Sequence, residues 1–287
     1  MTFPVPGDEG RHPSSDHPLW EEAWHLDFAT PDGTLGGHLR LAILPNQGIS
    51  WVWTALVGKG RRLVTVVEHE APIPRRGSLD LRCEGLWMDL VCEEPLDHWS
   101  VGLEAFGVAL DEPADAYRGL RGERIGVGLD LGWETVGAPW GGPGGDRYEL
   151  ACDVSGEVLV GDEVLTFDGW GNRSHTWGVG EWWTGPWTAA AGRLDDGTRW
   201  RWDDRTDADG ELSGTVHDDG AGRRDGFPSR VDLSLGDLEL RNDVFHVSPV
   251  PLEAPDGRHA RAVHALCRTT TSDGGAGTAW LTLNRPV

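Results

Sequence analysis

The residues best equipped for chemistry lie between 167 and 187, FDGWGNRSHTWGVGEWWTGPW, which holds five tryptophans, five glycines, one arginine and one histidine. Arg173, His175 and Trp177 recur at every second position, so an extended chain puts all three on one face. His175 is the candidate acid or base, because an imidazole titrates near neutrality. Arg173 would steady a developing negative charge or a substrate carbonyl. Trp177, Trp182 and Trp183 would form the wall of a ligand pocket and could face a cationic intermediate. The same residues also admit a structural reading, with Arg173 stacked on Trp177 and His175 hydrogen-bonded to a carbonyl. Strand register decides which side of a sheet they face, since a slip by one residue reverses it.

A second cluster spans 82–99, RCEGLWMDLVCEEPLDHW. Glu84, Asp89, Glu93, Glu94, Asp97 and His98 surround Trp87 and Trp99, two further candidate ligand contacts. Paired carboxylates beside tryptophan are what glycoside hydrolysis uses, but a chain with 47 acidic residues forms acidic clusters by composition alone. Metal-ligand spacings do not occur. His69 alternates with Glu68 and Glu70, His259 and His264 would face opposite sides of a strand, and no H-E-x-x-H is present, so no metal site is expected. Phosphate-cradling loops and nucleophile elbows are absent too. Lys59, the only lysine, lies in the turn-like Gly58-Lys59-Gly60, a poor place to desolvate a Schiff-base amine.

Composition narrows the partners. With 25 basic against 47 acidic residues the formal net charge is -22, which repels nucleic acid and anionic membranes. Cys83, Cys92, Cys152 and Cys267 form no C-x-x-C pair and read as free thiols. No stretch has the apolar length of a membrane span, and residues 1–17 lack a signal-peptide core, so a cytoplasmic location is expected.

These side chains need a scaffold, and the pattern around them is that of strands. In 124–134, Ile125, Val127, Leu129, Leu131 and Trp133 alternate with small or polar residues, the signature of a half-buried strand. Leu39, Leu41 and Ile43 repeat it, as do Val231, Leu233 and Leu235. Pro31-Asp32-Gly33, Asp195-Asp196-Gly197, Asp209-Gly210 and Asp273-Gly274-Gly275 supply tight turns between such runs. Helix is nearly absent, with one or two turns predicted in 111–120. The stretch 137–146, GAPWGGPGGD, cannot be an inner strand and divides the chain into halves that each suit an eight-stranded barrel. The sequence predicts a flexible N-terminus over 1–18 and barrels over 19–138 and 139–287.

The run Gly169-x-Gly171-x-Arg173-x-His175-x-Trp177-Gly178 resembles the G-x-G-x-R-D-H-S-W-G signature of a superfamily of double lipocalin-like proteins. That superfamily includes carotenoid hydratases of the hydroxyneurosporene synthase type, AttH-like proteins and Diels–Alderase-type cyclases. Gly156-Glu157-Val158-Leu159-Val160-Gly161 and Trp24-x-x-x-Phe28 resemble its patterns as well. The chain departs from it at Ser174, where an acid is usual, and at Gly180-Glu181-Trp182, where R-D-W often follows. The resemblance implies an all-β fold of two antiparallel calycin barrels side by side, an apolar ligand within or between them, and no cofactor. The expected function is capture of an isoprenoid, polyene or polyketide-like molecule, with cofactor-free cyclisation, isomerisation or hydration where turnover occurs. A non-catalytic lipid or metabolite binder and a carbohydrate-active sandwich are the rival readings. Oligomeric state is open.

Overall fold

A computed structural model of the chain describes residues 4–142, 144–206, 212–217, 227–254 and 256–287. The Asp209-Gly210 turn lies outside them. The described residues form two antiparallel sheets and three short 3-10 turns. No helix among them is long and apolar enough to cross a membrane.

The first sheet comprises β1 (Trp20–Ala29), β2 (Leu35–Leu44), β3 (Ile49–Gly58), β4 (Leu63–Ala71), β5 (Leu81–Cys83) and β6 (Leu86–Glu94). It continues through β7 (His98–Leu110), β8 (Glu123–Thr135), β9 (Trp140–Gly141), β10 (Arg147–Val160) and β11 (Glu163–Val179). The pairing order β4-β3-β2-β1-β11-β10-β8-β7 closes where Leu63 of β4 meets Leu110 of β7, which makes an eight-stranded barrel. β5 and β6 extend from the other part of β7. The expected alternation holds in β8, whose Val127, Leu129, Leu131 and Trp133 point into the barrel core. The predicted turns of helix appear as a 3-10 segment, Pro113–Arg118.

The second sheet holds β12 (Trp187–Leu194), β13 (Arg199–Asp203), β14 (Leu212–His217), β15 (Arg230–Leu235), β16 (Leu238–Glu253), β17 (His259–Thr271) and β18 (Ala276–Pro286). Its order is β13-β12-β18-β17-β16-β15-β14, curled around a core that includes Trp200, Trp202, Val231 and Leu281. The all-β architecture of two barrel-like sheets is therefore the one the sequence implies. The chain changes sheet later than the boundary read at 138/139. β10 and β11 return to the first sheet, hydrogen-bonded to β8 and β1 respectively, and the crossing falls between Val179 and Trp187. The glycine- and proline-rich 137–146 is instead a connection within the first barrel that carries the short β9.

β1, β2 and β3 are buried along nearly their whole length, because both faces are covered. Trp24, Leu26 and Phe28 face the barrel core. The opposite face packs on the outer face of the second sheet through two apolar clusters. One joins Trp51 and Trp53 to Trp182, Trp187, Val250 and Leu252. The other joins Ala55, Val57 and Trp170 to Leu266 and Trp280.

Candidate functional site in the cleft between the sheets

A cavity of about 410 Å³ lies between the two sheets, within the range of about 300–1,000 Å³ common for small-molecule sites. Strand parity decides who lines it. On β1 the residues alternating with Trp24, Leu26 and Phe28 are Glu21, His25 and Asp27, and these enter the cleft. On β11 the cleft receives Asn172, Ser174 and Thr176. Ala189 and Ala191 of β12, Trp280 and Thr282 of β18 and His264 of β17 form the facing wall. Trp182 and Trp187 close one end, and Gly142, Gly144 and Asp146 form part of the rim. The glycine-rich stretch read as a linker is thus part of the cleft's mouth.

The cleft floor carries two groups suited to proton transfer. Asp27 Oδ1 accepts the backbone N–H of Asn172 at 2.8 Å and its side-chain amide at 3.2 Å. Burial outweighs these bonds and raises the carboxyl to about 7, so near neutrality it is divided between its acid and its anion. His25 sits two residues away on the same face. Burial, then the neighbouring His38 and Arg40, hold it well below its ordinary value, and it is a neutral base. His25 stacks on His264 at 5.1 Å, and His264 lies 4.1 Å from His38. Burial keeps His38 and His264 neutral as well. His38 Nε2 meets Ser248 Oγ and His264 Nδ1 meets Thr282 Oγ1, each at 3.0 Å. His264 Nε2 has no hydrogen-bond partner among the described residues.

Charge within the cleft is internally balanced. Arg147 donates to Asp203 at 2.6 Å and also to Glu149, and Arg201 donates to Glu149 at 3.1 Å, so β10 and β13 are tied by ion pairs across the sheets. Burial opposes charge on Asp203, but Arg205 and Arg147 hold its carboxyl at about 2. Burial likewise acts against Glu149, and Arg147 and Arg201 overcome it, keeping that carboxyl low. At the other end Arg40 donates to Glu21 at 2.8 Å and Trp182 Nε1 to the same oxygen at 3.1 Å.

Of the sequence candidates Trp182 and Trp177 reach the cleft, and the others fall elsewhere. Arg173, His175 and Trp177 do share a face, and that face is the barrel interior. Trp177 also reaches the cleft rim. Residues 5–12, read as flexible, sit over this end of the barrel. Glu9 is buried, pairs with Arg173 at 2.8 Å, and accepts from Tyr148 Oη at 2.7 Å and the Leu96 N–H at 2.8 Å. The Arg173 guanidinium lies over Trp99, 5.5 Å from its ring, rather than over Trp177. His175 Nδ1 donates to the Asp8 carbonyl at 2.9 Å, the structural alternative named for it. Burial lowers its affinity for a proton despite Glu22 at 3.1 Å. Trp182 lines the cleft, whereas Trp183 packs beside Trp51 and Arg258 at its back. Trp99 is in the barrel core. Trp87 is on the outside of β6, bonded to Asp80, and the acidic residues Glu84, Glu93, Glu94 and Asp97 are exposed around that hairpin.

The glycines of the motif have a steric cause. A Cβ on Gly171 would lie 2.0 Å from the Asp27 carbonyl oxygen, and one on Gly169 2.3 Å from that of Ala29. Only glycine lets β11 press this closely on β1, and that contact sets the neighbouring Asp27 and Asn172.

Three solved structures share this fold at low identity. An AttH-like protein of Nitrosomonas europaea superposes with a TM-score of 0.60 at 14% identity, covering 100% of this chain and 98% of its own. Kievitone hydratase from Nectria haematococca gives 0.57 at 11%, covering 99% and 93%. CghA with Sch210972 gives 0.51 at 12%, covering 94% and 89%. The double lipocalin-like resemblance read from the motif is thereby borne out as a fold. No curated protein matches the sequence. Residues 5–287 match the family described as a domain of unknown function, DUF7064, and the chain belongs to that family.

Proposed function

We propose that the inter-sheet cleft holds a largely apolar small molecule and transforms it by proton transfer, as an isomerase, cyclase or hydratase that calls on no cofactor. The observation that carries this reading is Asp27, a carboxyl poised at about 7, beside neutral His25 on the floor of the cavity. In this scheme Asp27 gives a proton to a carbonyl, hydroxyl or alkene, and His25 takes one from the substrate or from an attacking water. The acid–base role assigned to His175 from sequence passes to these two residues, and Arg173 holds Glu9 rather than substrate. The superfamily signature has an acid where this chain has Ser174, and Ser174 faces the same cleft, its backbone paired with that of His25. Asp27 supplies the acid from the adjacent strand.

The lining indicates the class of ligand. Trp182, Trp187, Trp202 and Trp280 offer broad apolar surfaces, and the arginines around them are engaged by carboxylates. Such a site favours a neutral, mostly hydrocarbon molecule with one or two oxygens, such as an isoprenoid or polyketide. A neighbour named as a hydratase and another holding a bound small molecule, Sch210972, support a small-molecule site on this fold. The test is to incubate the protein with an apolar extract of its source cells and follow the compounds by chromatography and mass spectrometry. The proposal expects one compound to give way to an isomer or a water adduct, and Asp27→Asn to abolish that conversion. Unchanged conversion by folded Asp27→Asn would refute the assignment. Retention without conversion by the wild type would leave a binding protein.

A further inference from the structure

Away from the cleft, three side chains from three segments converge at the mouth of the first barrel. His12 Nδ1 lies 2.9 Å from Glu22 Oε1, and His175 Nε2 lies 3.1 Å from the same oxygen. One ligand atom from each of the three falls within 4.8 Å of the others. The protons can be placed by elimination. A carbonyl oxygen only accepts, so His175 Nδ1, 2.9 Å from the Asp8 carbonyl, carries the hydrogen. The neutral ring then turns the Nε2 lone pair toward Glu22. A lone pair against a carboxylate oxygen at this distance repels unless a proton, on either residue, or a metal ion mediates the contact. The geometry fits the metal ion: an oxygen that already takes the His12 backbone N–H at 2.7 Å stands with two imidazole nitrogens converging on it.

The surroundings favour the metal. His12 Nε2 lies 3.7 Å from the Asp8 carboxylate, and its Nδ1 is the nitrogen turned toward Glu22, as Nε2 is in His175. The Asp8 carbonyl thus takes the outer nitrogen of His175, the arrangement by which an oxygen acceptor orients metal-bound histidine. Stacking locks the rings: His12 on Trp177 at 3.6 Å and 9°, His175 on Trp24 at 4.3 Å and 20°. Ligand atoms around tetrahedral zinc lie about 3.4 Å apart, so the observed 2.9 and 3.1 Å need to open only slightly. Two imidazoles and one carboxylate suit zinc and its transition-metal neighbours rather than calcium or magnesium. The His12 side chain is 18% exposed, which leaves a path for the ion and for a water as fourth ligand.

We infer that His12, Glu22 and His175 bind a zinc-class divalent ion, which latches the N-terminal segment onto β1 and β11. This site is separate from the cleft and does not rest on the function proposed there. It was invisible in the sequence because its members stand far apart in the chain and His12 falls in a segment without strand pattern.

The test uses the full chain, stripped with a chelator and then titrated with Zn²⁺ by calorimetry, with Co²⁺ absorption as a second readout. The expected result is one Zn²⁺ per chain and visible Co²⁺ bands of low coordination number. His12→Ala, a change at a partly exposed side chain, should weaken Zn²⁺ binding at least tenfold and remove the bands. Glu22→Gln should also weaken it, while His25→Ala, in the other histidine cluster, should leave it intact. Absence of stoichiometric Zn²⁺ uptake by the wild type would overturn the inference, as would uptake unchanged in folded His12→Ala or lost instead in His25→Ala.

Discussion

Replacing Asp27 by asparagine should make the protein more stable at alkaline pH, and the size of the gain follows from the structure. The carboxyl stands at about 7 in the folded protein against an ordinary 3.8. A group whose folded value is raised binds more protons when folded than when unfolded, so stability declines as pH rises from about 4 and levels off above about 7. At about 1.4 kcal/mol per pH unit, the ionised carboxylate costs the fold about 4 kcal/mol by about pH 8. Asparagine keeps an oxygen that can accept the Asn172 N–H and never ionises. Urea denaturation of both proteins from about pH 4.5 to 9 gives a difference curve in which other titrations cancel. Relative to the wild type, Asp27→Asn should gain most between about pH 5 and 7 and reach a plateau of a few kcal/mol. A difference that does not vary with pH would show that Asp27 ionises normally, and the argument for it as a neutral-pH acid would fall.

Three further outcomes follow from the same structure. Gly171→Ala, which drives a Cβ to 2.0 Å from the Asp27 carbonyl oxygen, should cost about 3 kcal/mol or more in denaturant unfolding by forcing β1 and β11 apart. Glu9→Gln leaves the buried Arg173 guanidinium without its anion and should cost on the order of 3 kcal/mol, with faster proteolysis of the N-terminal segment as an independent readout. Asp203, held at about 2 against an ordinary 3.8, contributes stability that is present above about pH 4 and lost as pH falls toward 2. The stability advantage of wild type over Asp203→Asn should therefore shrink by about 2 kcal/mol between about pH 5 and 2, and a constant difference would deny the depressed value.

The fold was legible because strand alternation and turn chemistry are local. β8 can be read from Val127, Leu129, Leu131 and Trp133 without knowing what they face. The motif around Arg173 and His175 was legible for the same reason, and the two residues do lie side by side. Which side of β11 faces the cleft was not legible, because it depends on where the second sheet docks. In a strand covered on both faces, the polar face is the one to inspect. On β1 it carries His25 and Asp27, opposite Trp24, Leu26 and Phe28, and an alternation this regular was the available signal. The late sheet boundary escaped notice because a glycine- and proline-rich run looks alike as a linker and as a loop rim. Its role at 137–146 is set by β10, which pairs back onto β8. The pairing of Glu9 with Arg173 spans nearly the whole first barrel in sequence, and no local pattern reports it.

The central claim is that the cleft between the sheets is where the ligand sits, and a blocked cleft tests it most directly. Ala191 faces Trp280 across β12 and β18 on the cleft wall, so Ala191→Trp should fill the cavity from a position that carries none of the proposed chemistry. Wild type and variant, shown to be equally folded, would be incubated with the same apolar extract and analysed by mass spectrometry. The account predicts that the wild type retains or converts a compound that Ala191→Trp leaves in solution unchanged. Equal retention or conversion by the two proteins would contradict it and place the ligand elsewhere in the molecule.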